Sequence, residues 1–305
     1  MTHKKQHIIP EAYLKYYSTN SKVYVIQLNN EYRRNIQEKG IGDKIFCDYE
    51  NYYYNFPNRS NKPILENMFG RIESNDYETI MSRVNKNVDL GFDTKDIIIN
   101  WMLMMKMRNS FFRDTFAKNI AWLKKTKSKL KTRANLSEKE KKEIEKESKR
   151  TAKAIQLSSF FDDYQKNLKE YFVNFMYKDW VILKSNTSNF ITSDNPGFSF
   201  SLSTENFLNG LNPVSSIYNL DRNCHVIHYF PLSKQYCLNL LPIFRDFDDG
   251  KVNELTQSRI EIETVDSKKV ELINKMTIQT SHKLVIGNEY SDLEYWENEI
   301  KQKFR

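Results

Sequence analysis

Apolar and polar positions alternate along this chain with two different periods, and the switches between them outline the elements. Val23 to Leu28 and Lys44 to Tyr54 are rich in β-branched and aromatic residues and read as extended pieces, with a Gly40-Ile41-Gly42-Asp43 turn between them. Pro63 to about Met81 reads as a first helix with proline at its start. Asp96 to about Lys125 reads as one longer helix, and its nearly continuous apolar run from Ile97 to Met105 predicts a central place in the core. From Glu138 a second long helix is expected to run to about Tyr177, so that the two form an antiparallel helical arm. Strands follow at Trp180 to Leu183, Asn189 to Thr192, Phe198 to Leu202, His225 to Phe230 and Tyr236 to Leu241. A helix over Val265 to Ser281, a short strand from Lys283 to Ile286 and an amphipathic helix from Asp292 to Phe304 complete the order. The expected fold is α+β, a largely antiparallel sheet with inserted helices, one of them a long basic antiparallel arm.

Composition narrows the class. Only 39% of the 305 residues are apolar, but 13% are aromatic, and large rings supply much buried area per residue. Eight Gly and seven Pro are scattered, with no repeat and no flexible linker, so 1–305 reads as a single composite domain. Cys47, Cys224 and Cys237 are odd in number and far apart, which suits neither a disulfide framework nor a cysteine zinc site. The start of the chain does not read as a secretion signal, and no apolar stretch is long enough to cross a membrane. The expected location is the cytoplasm, and the oligomeric state is left open.

The net charge of +8 belongs to one segment. Residues 124–153 hold 13 Lys or Arg against 5 Glu, the whole surplus of the chain. Lys124, Lys125, Lys127, Lys129, Lys131 and Arg133 open this segment without an acid, and a Ser137-x-x-Glu140 capping box starts the helix after it. Two readings stand: a solvated tip of a helical arm, or a contact with nucleic acid through phosphate. No aromatic residue lies between Thr126 and Gln156, so base stacking is not expected there.

The familiar glycine-rich, nucleophile-elbow and zinc-protease motifs are absent. His225 and His228 lie three apart on a strand and face opposite sides, and the Met102 to Met107 run reads as core packing. Three features are more suggestive. Phe190-Ile-Thr-Ser-Asp-Asn-Pro196 runs a strand into Ser193, Asp194 and Asn195, which suits either a stabilised turn or a carboxylate placed for chemistry. Glu66 and Glu73 fall on one face of the first helix, and Arg108 and Arg113 end an apolar run where each demands a carboxylate or phosphate partner.

His7-Ile-Ile-Pro10-Glu-Ala-Tyr13-Leu14, the helix from Glu66 to Glu73, the Arg108 to Arg113 segment, the Thr-Ser-Asp-Asn-Pro block, Pro231-Leu-Ser233 and Asn274 before Lys283 resemble, in that order, the bacterial domain-of-unknown-function family 4238. The resemblance brings no established activity. The leading expectation is a Mg²⁺-assisted phosphodiester hydrolase, a nuclease-like effector of bacterial defence. In it Glu66, Glu73 and Asp194 hold the metal, His7 moves a proton, and Arg108, Arg113, Ser193 and Asn195 hold substrate. The alternative is a non-catalytic module for nucleic acid or protein in which the same Glu, Arg and Asp residues form a structural network.

Overall fold

The computed structural model of the chain describes residues 6–28, 35–48, 69–132, 135–161, 164–176, 178–201, 226–242 and 258–303. Within them the fold is α+β, with eight α-helices and two larger sheets that are mostly antiparallel. The first half gives β1 (Gln6–His7), α1 (Glu11–Lys15), β2 (Lys22–Gln27), β3 (Gln37–Gly40) and β4 (Cys47–Asp48). A π-helical stretch, Ile72–Tyr77, leads into α2 (Glu78–Lys86), and α3 (Phe92–Arg108), α4 (Ser110–Thr132), α5 (Glu138–Phe161) and α6 (Tyr164–Met176) follow. The second half gives β5 (Asp179–Ser185), β6 (Thr192–Ser193), β7 (Phe198–Ser201), β8 (Val226–Pro231), β9 (Tyr236–Leu241), β10 (Glu261–Val265), α7 (Ser267–Thr280), β11 (Leu284–Gly287) and α8 (Tyr290–Lys303).

One sheet has the order β10-β5-β9-β8-β7, the other β3-β2-β11-β6, and β1 pairs with β4 in a small ribbon. Among the described strands only β10 against β5 is parallel. The apolar run of α3 lies in the core as its composition demands: Ile98, Trp101, Met102, Met104 and Met105 are all buried, and the Trp101 ring stacks on Tyr77 with centroids 4.2 Å apart.

Several expected boundaries are corrected. The helix expected from Asp96 to Lys125 is two helices, broken at Asn109, whose backbone is extended (φ −64°, ψ 125°). The Asn109 side chain replaces the lost continuity: its Oδ1 accepts the Phe111 N–H at 2.7 Å and caps α4. The Lys44 to Tyr54 strand shrinks, within the described residues, to a 3₁₀ turn at Lys44–Phe46 and the two-residue β4. The helix expected from Glu138 to about Tyr177 needs no correction: it is helical in its described parts, α5 and α6, and residues 162 and 163 lie outside the described residues. β3 and β10 were not foreseen, because Gln37-Glu-Lys-Gly40 has no large apolar residue and Glu261-Ile-Glu-Thr-Val265 has two, Ile262 and Val265, that only partly bury at a sheet edge.

α4 and α5 form the antiparallel arm. Ala117 and Ala121 on α4, and Ser148 and Ala152 on α5, are buried small residues four apart, which lets the two backbones approach closely. Cross-helix pairs Lys125–Glu145 (2.6 Å) and Lys124–Glu147 (3.0 Å) lie on the same antiparallel register.

The two larger sheets meet at Tyr13, a fully buried residue of α1. Its hydroxyl donates to the Pro231 carbonyl at the end of β8 (2.7 Å) and lies 2.7 Å from Thr192 Oγ1 in β6. Tyr13→Phe keeps the ring and removes the hydroxyl from the Pro231 carbonyl, Thr192 Oγ1 and the Tyr17 hydroxyl 3.3 Å away, so urea denaturation should show a loss of about 1–3 kcal/mol. An unchanged midpoint would mean that the hydroxyl joins nothing of consequence.

Candidate functional site

β6 ends at Ser193, and the chain then turns through Asp194 and Asn195 into Pro196, which restricts Asn195 to extended geometry. The Ser193 hydroxyl accepts the Asn195 N–H at 3.1 Å and fixes the turn locally. Asp194 is buried, and its carboxylate accepts backbone N–H groups from three consecutive residues at the entry to β11: His282 at 3.2 Å, Lys283 at 3.0 Å and Leu284 at 3.1 Å, all to Oδ1. Oδ2 takes a second bond from the Lys283 N–H at 3.1 Å. Burial pushes the Asp194 pKa up, while the same N–H bonds and the nearby His282 pull it down.

Asn195 extends the network the other way. Its Nδ2 donates to Thr280 O at 2.9 Å, at the end of α7, and its Oδ1 accepts from Asn109 Nδ2 at the α3–α4 break. Beside Asn109, the Arg108 guanidinium is almost wholly buried and pairs with Glu73 in the π-helical stretch. Arg108 also donates to the His7 carbonyl and lies over the Phe69 ring, 4.8 Å from its centroid. The His7 ring reaches Glu11 instead, with Nε2 2.8 Å from Oε1. Arg113 finds its carboxylate next door, Asp114 Oδ1 at 3.0 Å, as a half-buried arginine requires.

Asp114 was missed by sequence reasoning, as were Lys283 and His282, because a lone acid on a helix carries no motif. Its Oδ2 accepts Lys283 Nζ at 2.8 Å and lies 3.3 Å from His282 Nε2. Burial pushes this carboxyl up, but the bonds from His282 and Lys283 and the charges of Arg113 and Lys283 outweigh it and hold its pKa well below the usual carboxylate range. A cavity of about 200 Å³ opens beside the junction, with Asp194, Ser110, Gln27 and Lys283 among its lining residues and Phe46 and Leu284 as apolar wall.

The described candidates therefore meet around one junction of α3, α4, β6 and β11. They meet as ion pairs and backbone acceptors rather than as a free carboxylate cluster. Glu66 lies outside the described residues. Among the described residues no three His, Cys, Asp or Glu side chains come together to hold a metal ion. Asp194 and Glu73 have donors of their own, so the described part of the expected Mg²⁺ set does not fit that ion. His228, of the histidine pair, is buried with Nδ1 2.8 Å from Ser199 Oγ, and burial pushes its pKa well down; His225 lies outside the description.

A family model described as a protein of unknown function, DUF4238, matches residues 5–291. The chain is a DUF4238 protein. No curated protein and no solved structure matches it. In this DUF4238 chain, no described helix is long and apolar enough to cross a membrane.

The arm carries the other candidates. Lys124 and Lys125 are engaged with Glu147 and Glu145, while Lys127 and Lys129 are exposed. Nothing is described of the Lys131 side chain, and Arg133 lies outside the description. A second basic face lies on α5, whose lysines the sequence reading did not single out as contacts. Lys139, Lys142, Lys146 and Lys149 of α5 recur at three- and four-residue steps, and all four are exposed. On α4, Trp122 is 65% exposed and shares a stripe with Lys118, Lys125 and Lys129.

Asp114→Asn keeps the shape of the side chain and removes its charge. At pH 7 it should cost about 1–3 kcal/mol in chemical denaturation. Because the native pKa is depressed, the stabilisation is complete above the ordinary value of 3.8 and is lost as pH falls toward the native value. The gap between wild type and variant should therefore close in acid; a gap that stays constant from pH 7 to acid would contradict the assignment.

Proposed function

We propose that this protein is a non-catalytic nucleic-acid-binding module whose contact surface is the α4–α5 arm. The observation that carries the reading is the outward lysine stripe of α5. Glu145 and Glu147 turn toward α4 and answer Lys125 and Lys124, while Lys139, Lys142 and Lys146 face solvent outside those cross-arm pairs. Charge left outward in this way releases counterions when it meets a phosphate backbone. Trp122, exposed and in line with Lys118 and Lys129, adds a stacking face that single-stranded RNA or DNA uses and a closed duplex does not. The Glu73, Arg108, Asp114 and Asp194 network then serves to hold the body from which the arm projects. The hydrolase reading draws no comparable support, since its described carboxylates already have donors.

Fluorescence anisotropy with a labelled single-stranded oligonucleotide tests this. Changing Lys139, Lys142 and Lys146 together to Glu should weaken binding and reduce the slope of log affinity against log salt by about 2 or more, at roughly 0.7 per cation lost. Trp122→Ala should weaken single-strand binding about tenfold and leave duplex binding nearly unchanged. Binding that ignores both changes, or no binding at low salt, would reject the arm as a nucleic-acid surface.

A further inference from the structure

A second concave surface is lined by none of the residues of the polar junction. A groove of about 610 Å³ runs between the loop after β5, the first half of α7 and the start of α8. In a chain with a net charge of +8, none of the groove's described lining residues is Lys or Arg. Glu271, Glu289 and Asp292 supply negative charge instead, and Ser, Thr, Asn and Gln side chains make most of the remaining wall. A phosphate or a polynucleotide would be repelled there.

The floor is already organised. Asn274 donates to Asn189 O at 2.9 Å and accepts the Ile191 N–H at 3.0 Å. Asp292 accepts Asn189 Nδ2 at 3.1 Å and the N–H groups of Asn288 and Glu289 at 2.9 and 2.8 Å. Above that floor the groove keeps hydrogen-bonding capacity open to solvent, since Asn186 and Thr187 are exposed. The rim is Tyr295, 67% exposed yet held at both ends. Its hydroxyl donates to Glu271 Oε1 at 2.8 Å, and its ring meets Trp296 edge-on with centroids 4.7 Å apart. Fixing an exposed ring costs side-chain entropy, and the result is a flat apolar face presented to whatever enters the groove.

We propose that this groove binds a neutral saccharide. One face of a pyranose ring would stack its C–H groups on Tyr295, against the negative face of the aromatic ring. Its hydroxyls both donate and accept, which matches the mixed amide, hydroxyl and carboxylate of Asn186, Thr187 and Glu271. A flat apolar ligand would instead strand those groups without partners. The proposal is independent of the arm reading, because none of the groove's described lining residues belongs to α4 or α5.

The test uses the full chain, labelled and applied to an array of neutral mono- and oligosaccharides, with hits measured by calorimetry. Tyr295→Ala should weaken the binding of a hit about tenfold or more, and Tyr295→Phe, which keeps the ring, by no more than about threefold. Because the ring is exposed, both variants should melt with the wild type. The Lys139, Lys142 and Lys146 charge reversal should leave saccharide binding unchanged, which separates a failure here from a failure of the arm. The proposal is overturned if no saccharide on the array binds, if Tyr295→Ala binds as well as wild type, or if a polyamine binds the groove where every sugar fails.

Discussion

Asp194 is where two distant parts of the chain are made to agree. Its carboxylate accepts N–H groups from residues 282, 283 and 284, so the end of β6 and the entry to β11 are locked together before the two strands exchange their own ladder bonds at Ser193–Val285 and Thr192–Ile286. A two-residue strand has too few ladder bonds to set its own register, and a buried acceptor with three converging donors sets it instead. From that point the polar contacts run outward without a break. Asn195 reaches the end of α7 and, through Asn109, the α3–α4 break, and Arg108 ties that break to Glu73 and to the backbone of β1. Lys283 and His282 carry the same contact to Asp114 on α4.

The arm's direction follows from this junction. α4 begins at Ser110 because Asn109 leaves the helix to pair with Asn195 and caps the new helix with its other amide atom. Asp114, one turn on, is pinned to Lys283. The base of the arm is thus fixed by charged and amide groups, while its length is held by small residues and flanking ion pairs. On the proposed reading, this base held by buried polar contacts presents an outward basic face to a polynucleotide.

Much of the architecture was legible from periodicity. The buried run of α3, the strands β5, β8 and β9, and the closing α7-β11-α8 order follow from apolar spacing alone. The break at Asn109 was not, because nothing in Met105-Lys-Met-Arg-Asn-Ser-Phe-Phe112 opposes a helix; a side chain 86 residues away does. The edge strands β3 and β10 were missed for the opposite reason, since β3 presents no apolar face and β10 only Ile262 and Val265. At the site, the Thr-Ser-Asp-Asn-Pro block was visible as a rigid strand end, and Arg108 and Arg113 were visible as groups that needed acids. What Asp194 does was hidden, because its partners are backbone N–H groups 88 to 90 residues on, and backbone donors leave no trace in side-chain identity. The lysine stripe of α5 was written in its three- and four-residue spacing but was obscured by the denser run before it.

Thermal unfolding of Asp194→Asn, paired with an assay for Mg²⁺-dependent cleavage of RNA and DNA, bears most directly on this account. The amide keeps the volume but turns one acceptor into a donor facing backbone N–H groups that cannot move away. The expected loss is about 2–4 kcal/mol, a fall of several degrees in Tm, with no cleavage by either protein. A variant that melts with the wild type and loses a Mg²⁺-dependent cleavage that the wild type possesses would contradict the account and make Asp194 a reactive carboxylate.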